Sequence, residues 1–119
     1  MTTKPAFAYD EVKRRFKNRD ALFLKLAKRF TGNLATYRED IQRFRDGGDL
    51  DEVRQWAHSL AGVVGNLGGM RAFDAAKDLE FAAEDGQEVT VLSRIDVVEA
   101  ELEVFEGELE QKIANLEAE

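Results

Sequence analysis

The sequence predicts an all-α protein, and three observations lead to this prediction. Apolar residues recur at steps of three and four along most of the chain, as they do on one face of an α-helix. No segment shows the sustained apolar alternation of a half-buried strand. Short links separate the periodic stretches, and such links favour antiparallel neighbours. We therefore expect an antiparallel up-down four-helix bundle with a short leading N-terminal helix.

The leading helix and the first bundle helix occupy the first part of the chain. Residues 7–16 fit a short helix, and Asp20 is expected to be the N-cap of the next one. Apolar residues then stay on one stripe from 21 to about 46, which predicts a single long helix ended by the glycine pair 47–48. The stripe consists of Phe23, Leu26, Phe30, Leu34, Tyr37, Ile41 and Phe44.

Two shorter helices are expected in the middle of the chain. Asp51 can cap the first of them, which runs to about Asn66 and is followed by the glycine pair 68–69. Its inward residues are Leu50, Val53, Ala57, Leu60 and either Val64 or Leu67. The second runs from Met70 to about Glu84. Its inward residues are Met70, Phe73, Ala76, Leu79 and Ala83.

The last helix is expected to begin at about Thr90 as its cap. Its apolar residues form a near-heptad seam, since they alternate steps of four and three almost throughout. One partner helix is too short to cover this seam, so we expect its last turns to project or fray. Self-association through that end is an alternative to the monomer that we expect. The seam consists of Val91, Ile95, Val98, Leu102, Phe105, Leu109, Ile113 and Leu116.

Length and composition limit the chemistry available to this chain. Its 119 residues fit one domain, so residues 1–119 are expected to form a single unit. The absence of cysteine and the single histidine exclude disulfides, thiol nucleophiles and histidine-rich metal centres, although a site made of carboxylates stays open. The net charge of −7 argues against nonspecific nucleic-acid binding. The sequence shows no membrane-spanning run or secretory signal, and we expect a cytoplasmic protein.

The sole histidine lies in a segment that places several small residues near it. On a helix, His58 shares one stripe with Arg54, Ala61, Gly62 and Gly65, and this stripe is separate from the core stripe. His58 should therefore point outward. A glycine inside a helix costs about 1 kcal/mol relative to alanine, and clearance for another protein's surface is one physical reason for it. Close helix packing is the alternative for the glycines, and an ordinary surface residue is the alternative for His58.

Other kinds of site lack necessary parts. A carboxylate-bridged dimetal centre needs paired Glu-x-x-His motifs, but the residue three before His58 is Gln55. The chain has neither a G-x-S-x-G turn nor a phosphate-binding P-loop, although counting alone does not exclude a Ser-His-Asp arrangement. A histidine that accepts a phosphoryl group remains, because a neutral imidazole nitrogen is a nucleophile near neutral pH.

At this segment the sequence resembles the histidine-containing phosphotransfer (HPt) domains of bacterial and fungal phosphorelays. The family pattern reads roughly A-H-x-L-K-G, then has a glycine ten residues after the histidine and a leucine-glutamate pair about twenty-one residues after it. Residues 57–62 read AHSLAG, and Gly68 and the pair Leu79 and Glu80 occupy the other places. The likeness covers about residues 8–115.

The resemblance implies a phosphoryl carrier rather than an enzyme. His58 would take a phosphoryl group from a receiver-domain aspartate and pass it to another receiver in two-component signalling. Glu80 would accept a hydrogen bond from the Nδ1 proton of His58 and leave Nε2 free to attack. The implied partners are receiver domains and hybrid sensor histidine kinases. Mg²⁺ would belong to the receiver, and this chain would hold no metal or cofactor.

One departure from the family pattern concerns the charge near the histidine. The family usually has a lysine three residues after it, where this chain has Ala61. Arg54 is our first candidate for the missing positive charge, and Arg71 and Lys77 on the next helix are further candidates. The departure also keeps an alternative open, in which the chain is a degenerate module that binds a receiver or a helical partner without phosphotransfer.

Overall fold

A computed structural model describes residues 4–119, so residues 1–3 of the predicted domain lie outside the described part. Over the described residues the chain forms six α-helices and no strand, which confirms the all-α prediction. The helices are α1 (Tyr9–Arg15), α2 (Asp20–Gly32), α3 (Leu34–Arg45), α4 (Leu50–Asn66), α5 (Met70–Glu84) and α6 (Glu88–Glu117).

One apolar cluster joins all six helices. Helix α5 packs against both α4 and α6, and α2 and α3 each pack against α6. The short α1 contributes Val12 to the same cluster. Burial of this apolar surface is the main favourable term in folding. The largest side chains that are almost fully buried include Phe23, Ile41, Leu60, Leu79, Ile95, Phe105 and Leu109.

The prediction of one long helix from 21 to 46 is wrong. The segment forms two helices instead, because α2 ends at Gly32 and α3 begins at Leu34, with Asn33 between them. Glycine and asparagine are weak helix formers, so an interruption costs little at this point. The apolar stripe continues across the break, and both helices pack against α6 and bury all of its members except Leu26 and Tyr37, which are partly buried.

The predicted N-caps are displaced along the chain. Asp20 is the first residue of α2 rather than its cap. Helix α4 is capped by Asp49 instead of Asp51, since the Asp49 carboxylate accepts a hydrogen bond of 2.9 Å from the backbone N–H of Asp51. Asp49 has the extended backbone conformation that an N-cap requires. Helix α6 begins at Glu88, two residues before Thr90, and has no side-chain cap.

The end of α6 does not project from the fold, so that expectation is also wrong. Ile113 is buried, and Lys28 of α2 binds Glu117 with Nζ 2.9 Å from Oε2. The ammonium of Lys112 lies 3.9 Å from the centre of the Tyr9 ring. Helix α2 and the N-terminal segment thus cover the part of the seam that a single partner helix would leave open.

Candidate functional site

Helix α4 carries the sole histidine on its outward side. Ala57 and Leu60 are buried on the opposite side and fix the rotation of the helix. The side chain of His58 is 68% exposed, which confirms the prediction that it points outward. Within residues 4–119 its one hydrogen-bond partner meets Nδ1, so no described side chain occupies Nε2.

Glu80 of α5 lies directly beside the imidazole. Its Oε2 is 3.0 Å from Nδ1 of His58, although the two residues are 22 positions apart in the chain. Glu80 is only 9% exposed, and it is the one charged residue that is buried in the described chain. A buried carboxylate is tolerated where hydrogen bonds satisfy its oxygens. The structure therefore brings the two residues named by the resemblance into contact.

Lys77 occupies the second oxygen of the same carboxylate. It lies one turn earlier on α5, and its Nζ donates to Oε1 of Glu80 at 2.8 Å. This hydrogen bond is the largest cause that lowers the pKa of Glu80, and the contact with His58 lowers it further against the effect of burial. Glu80 is therefore ionised at neutral pH. An ionised carboxylate can only accept, so it favours the imidazole tautomer with the proton on Nδ1 and the lone pair on Nε2.

Arg54 lies one turn before His58 but binds a different residue. Its Nη2 and Nε donate to Oδ1 of Asp51 at 2.9 and 3.2 Å. This pair raises the pKa of Arg54 and lowers the pKa of Asp51. No hydrogen bond joins Arg54 to His58 or Glu80 in the part of the chain that the structure describes. Its role as a phosphate contact stays a prediction.

Arg71 is engaged away from the histidine. Its Nε donates to Oε2 of Glu101 on α6 at 2.6 Å, and this ion pair raises the pKa of Arg71. Among the three candidate cations, Lys77 is thus the one that contacts the carboxylate beside His58. Sequence reasoning gave Lys77 less weight, although its position three residues before Glu80 is the spacing of helical neighbours.

The small residues near His58 differ in their surroundings. Ala61 is 2% exposed, so its predicted place on the outward stripe is wrong; it lies one turn after Ala57, at the edge of the core side. Gly62 is exposed, and a Cβ added there would meet no atom within 4 Å. Gly65 is half-buried, and its Cβ would lie 3.0 Å from the ring of Phe73. Close packing thus accompanies Gly65, whereas open space accompanies Gly62.

The structure has a groove beside these glycines that the sequence does not predict. It has a volume of about 480 Å³, and Gly62, Gly65 and Phe73 contribute to its lining. Phe73 was expected in the core but is 37% exposed, because it lies over Gly65 at the edge of the α4–α5 contact. Arg15 of α1 donates from Nη1 to the backbone oxygen of Gly65 at 2.8 Å. Contacts of this kind join distant segments, so local periodicity carries no signal for them.

The structure is a helical scaffold that presents one imidazole nitrogen to solvent and holds the other on a carboxylate. The chain belongs to the Hpt domain family, whose model matches residues 25–119. Members of this family are phosphocarrier modules of phosphorelays and interact with receiver domains and histidine kinases. A comparison with curated proteins finds no match, and a comparison with solved structures finds none either.

Two searches of the described residues bear on other kinds of site. Residues 4–119 contain no group of three or more metal-binding side chains of the His, Cys, Asp or Glu type that is arranged to hold an ion. Over the same residues, no helix has both the length and the apolar character needed to span a membrane.

Proposed function

We propose that this chain is a phosphorelay intermediate that accepts a phosphoryl group on Nε2 of His58 from a receiver-domain aspartate and passes it to another receiver. The observation that carries the proposal is the contact between an exposed imidazole and a buried carboxylate, 3.0 Å from Nδ1 to Oε2 of Glu80. Family membership supports the class of reaction, and this contact supports the choice of residue.

The transfer step requires no proton to move. The lone pair on Nε2 attacks the phosphorus of the receiver's acyl phosphate, so that an N–P bond forms while the P–O bond breaks and the aspartate leaves as a carboxylate. Nδ1 keeps its proton, and the phosphorylated ring becomes positively charged. The Glu80 carboxylate stabilises this charge across the hydrogen bond that it already makes. Attack by the next receiver's aspartate reverses these changes and restores the neutral imidazole.

The proposal also specifies the source of the metal ion, the location and oligomeric state of the chain, and the topology of its helix bundle. The receiver supplies Mg²⁺ and the acidic pocket, and this chain supplies no metal or cofactor. The chain acts in the cytoplasm as a monomer, and the covered end of α6, where Lys28 binds Glu117, supports the monomeric state. Helices α2 and α3 together form one member of an up-down four-helix bundle with α4, α5 and α6, and α1 leads it.

A label-transfer experiment tests the proposed function. The chain is incubated with a receiver domain that carries a radiolabelled phosphoryl group, and His58→Gln and Ser59→Ala serve as a matched pair of exposed neighbours on α4. We expect label on the wild type and on Ser59→Ala, and none on His58→Gln. Equal label on wild type and His58→Gln would contradict the proposal, as would absence of label from the wild type across a panel of receivers.

The presence of Ala61 in place of the family's usual lysine favours a second candidate. In this alternative the chain binds a receiver or a helical partner without accepting phosphate. Receiver affinity that survives His58→Ala, together with no transfer to the wild type, would support the binding module. Transfer to the wild type would exclude it.

A further inference from the structure

The ammonium of Lys77 makes two contacts beside the histidine site, one with Glu80 and one with Phe81. Its ammonium donates to Oε1 of Glu80 at 2.8 Å and lies 5.3 Å from the centre of the exposed Phe81 ring. A cation over an aromatic face is attracted by the ring quadrupole. The Lys77 side chain is 31% exposed, so its ion pair is partly shielded from water. These contacts restrict where the ammonium can lie.

The Glu80 carboxylate depends on this ammonium for one of its two oxygens. Within the described residues, His58 and Lys77 are the two side chains that hydrogen-bond to Glu80, one at each oxygen. The other two candidate cations are engaged elsewhere, Arg54 by Asp51 and Arg71 by Glu101. Loss of Lys77 would leave Oε1 without a protein donor at a nearly buried position. An unsatisfied buried polar atom is costly, so the Glu80 carboxylate would rotate until Oε1 forms a hydrogen bond with water.

We propose that Lys77 is a positioning residue, which holds Oε1 of Glu80 so that Oε2 stays aimed at Nδ1 of His58. The proposal rests on the proposed function, because the orientation matters only if Nε2 is the attacking atom. Glu80 oriented in this way accepts a hydrogen bond from Nδ1–H and so keeps the lone pair on Nε2. Lys77 therefore acts through the carboxylate and does not touch the reacting atoms.

The tautomer of the unphosphorylated imidazole gives a direct test that needs no receiver. ¹⁵N NMR is recorded on wild type, Lys77→Met and Lys77→Arg, at a pH where the imidazole is neutral. We expect the ratio of the Nδ1–H to the Nε2–H tautomer to fall about tenfold in Lys77→Met, the effect of losing roughly one well-formed hydrogen bond. Lys77→Arg should restore the ratio, because a guanidinium also donates to Oε1. The matched control is Lys25→Met, which removes an exposed lysine of α2 and should leave the ratio unchanged.

A kinetic measurement separates this proposal from the proposed function. At saturating phosphorylated receiver, Lys77→Met should transfer more slowly by the same factor by which the measured fraction of the Nδ1–H tautomer falls, with an unchanged receiver Kd. An unchanged tautomer ratio in Lys77→Met, or no rescue by Lys77→Arg, would overturn the positioning role even if wild-type transfer is normal. If Lys77→Met lowers the tautomer ratio but the wild type never accepts phosphate, the proposed function alone is overturned.

Discussion

Helix α4 buries one of its sides completely and leaves the other open to solvent. On the inner side, Val53, Leu60 and Val64 are at most 1% exposed. On the outer side, His58 is 68% exposed, and the space in front of Gly62 is open. The inner side fixes where α4 lies against α5, so the distance between His58 and Glu80 follows from backbone packing. An imidazole can therefore be oriented while it remains accessible to another protein.

The largest expected effect is the loss of stability when the inner side of α4 is truncated. Leu60→Ala removes a side chain that is 1% exposed and should lower the free energy of unfolding by about 2–5 kcal/mol. Val63→Ala, on the exposed side of the same helix, should change it by within about 0.5 kcal/mol. Urea unfolding measures both values. Equal losses for the two variants would contradict the division between the sides.

A bulky residue at Gly62 should affect transfer without harming the fold. A Cβ at this position meets no atom within 4 Å, so Gly62→Leu should gain about 0.5–1 kcal/mol of stability from helix propensity. The same side chain would occupy the clearance one turn beyond His58 and should slow transfer from a receiver at least about tenfold. Gly62→Ala is the matched control, with the same gain in stability and a smaller effect on transfer. Wild-type transfer by Gly62→Leu would show that no clearance is needed there.

The carboxylate beside the imidazole should make stability depend on pH. The pKa of Glu80 lies below its ordinary value of 4.5, with the Lys77 hydrogen bond as the largest cause. Its ionised form therefore contributes stability that is present above pH 4.5 and lost as the pH falls through the lower folded-state pKa. Glu80→Gln should cost about 1 kcal/mol at pH 7, and its difference from the wild type should shrink as the pH falls below 4.5. A difference that is constant over this range would contradict the assignment.

The smallest expected effect concerns the exposed cation on the outer side. Arg54 is bound by Asp51, so its loss should slow transfer only about twofold to fivefold, and less at high salt. Arg54→Lys should retain most of the rate because it keeps the positive charge. A loss of tenfold or more in Arg54→Ala would instead make Arg54 a principal phosphate contact.

The sequence predicts the helical fold well where the signal is local. The bounds of α5 agree with its apolar spacing and with the glycine pair before it, and the seam of α6 is buried as far as Ile113. The break at Asn33 escapes detection because the apolar stripe continues across it. The cap of α4 is misassigned because two aspartates, Asp49 and Asp51, lie near the start of the helix. The caps of α2 and α6 are misassigned because neither helix has a side-chain cap. The backbone conformation of Asp49 and the hydrogen bond that its carboxylate accepts from the Asp51 N–H identify it as the cap of α4.

The residues of the candidate site likewise differ in whether a local sequence pattern predicts their environment. The exposure of His58 follows from its angle on α4, and its pairing with Glu80 was expected only from a family resemblance. Ala61 lies at the boundary between the two sides of the helix, where angle alone does not decide burial. The contact between Lys77 and Glu80 has a local signal, the three-residue spacing of helical neighbours, whereas the contact between Glu80 and His58 depends on how α5 packs against α4. Such packing between helices is set by the whole core and leaves no local pattern.

The central claim is that Nε2 of His58 carries the phosphoryl group. NMR of ¹⁵N-histidine-labelled protein, phosphorylated by a receiver and observed through ¹⁵N and ³¹P, identifies the nitrogen bonded to phosphorus. We predict a single N–P bond at Nε2 of His58, with the proton retained on Nδ1 beside Glu80. Phosphorus on Nδ1, phosphorus on another residue, or an unmodified imidazole would contradict the account.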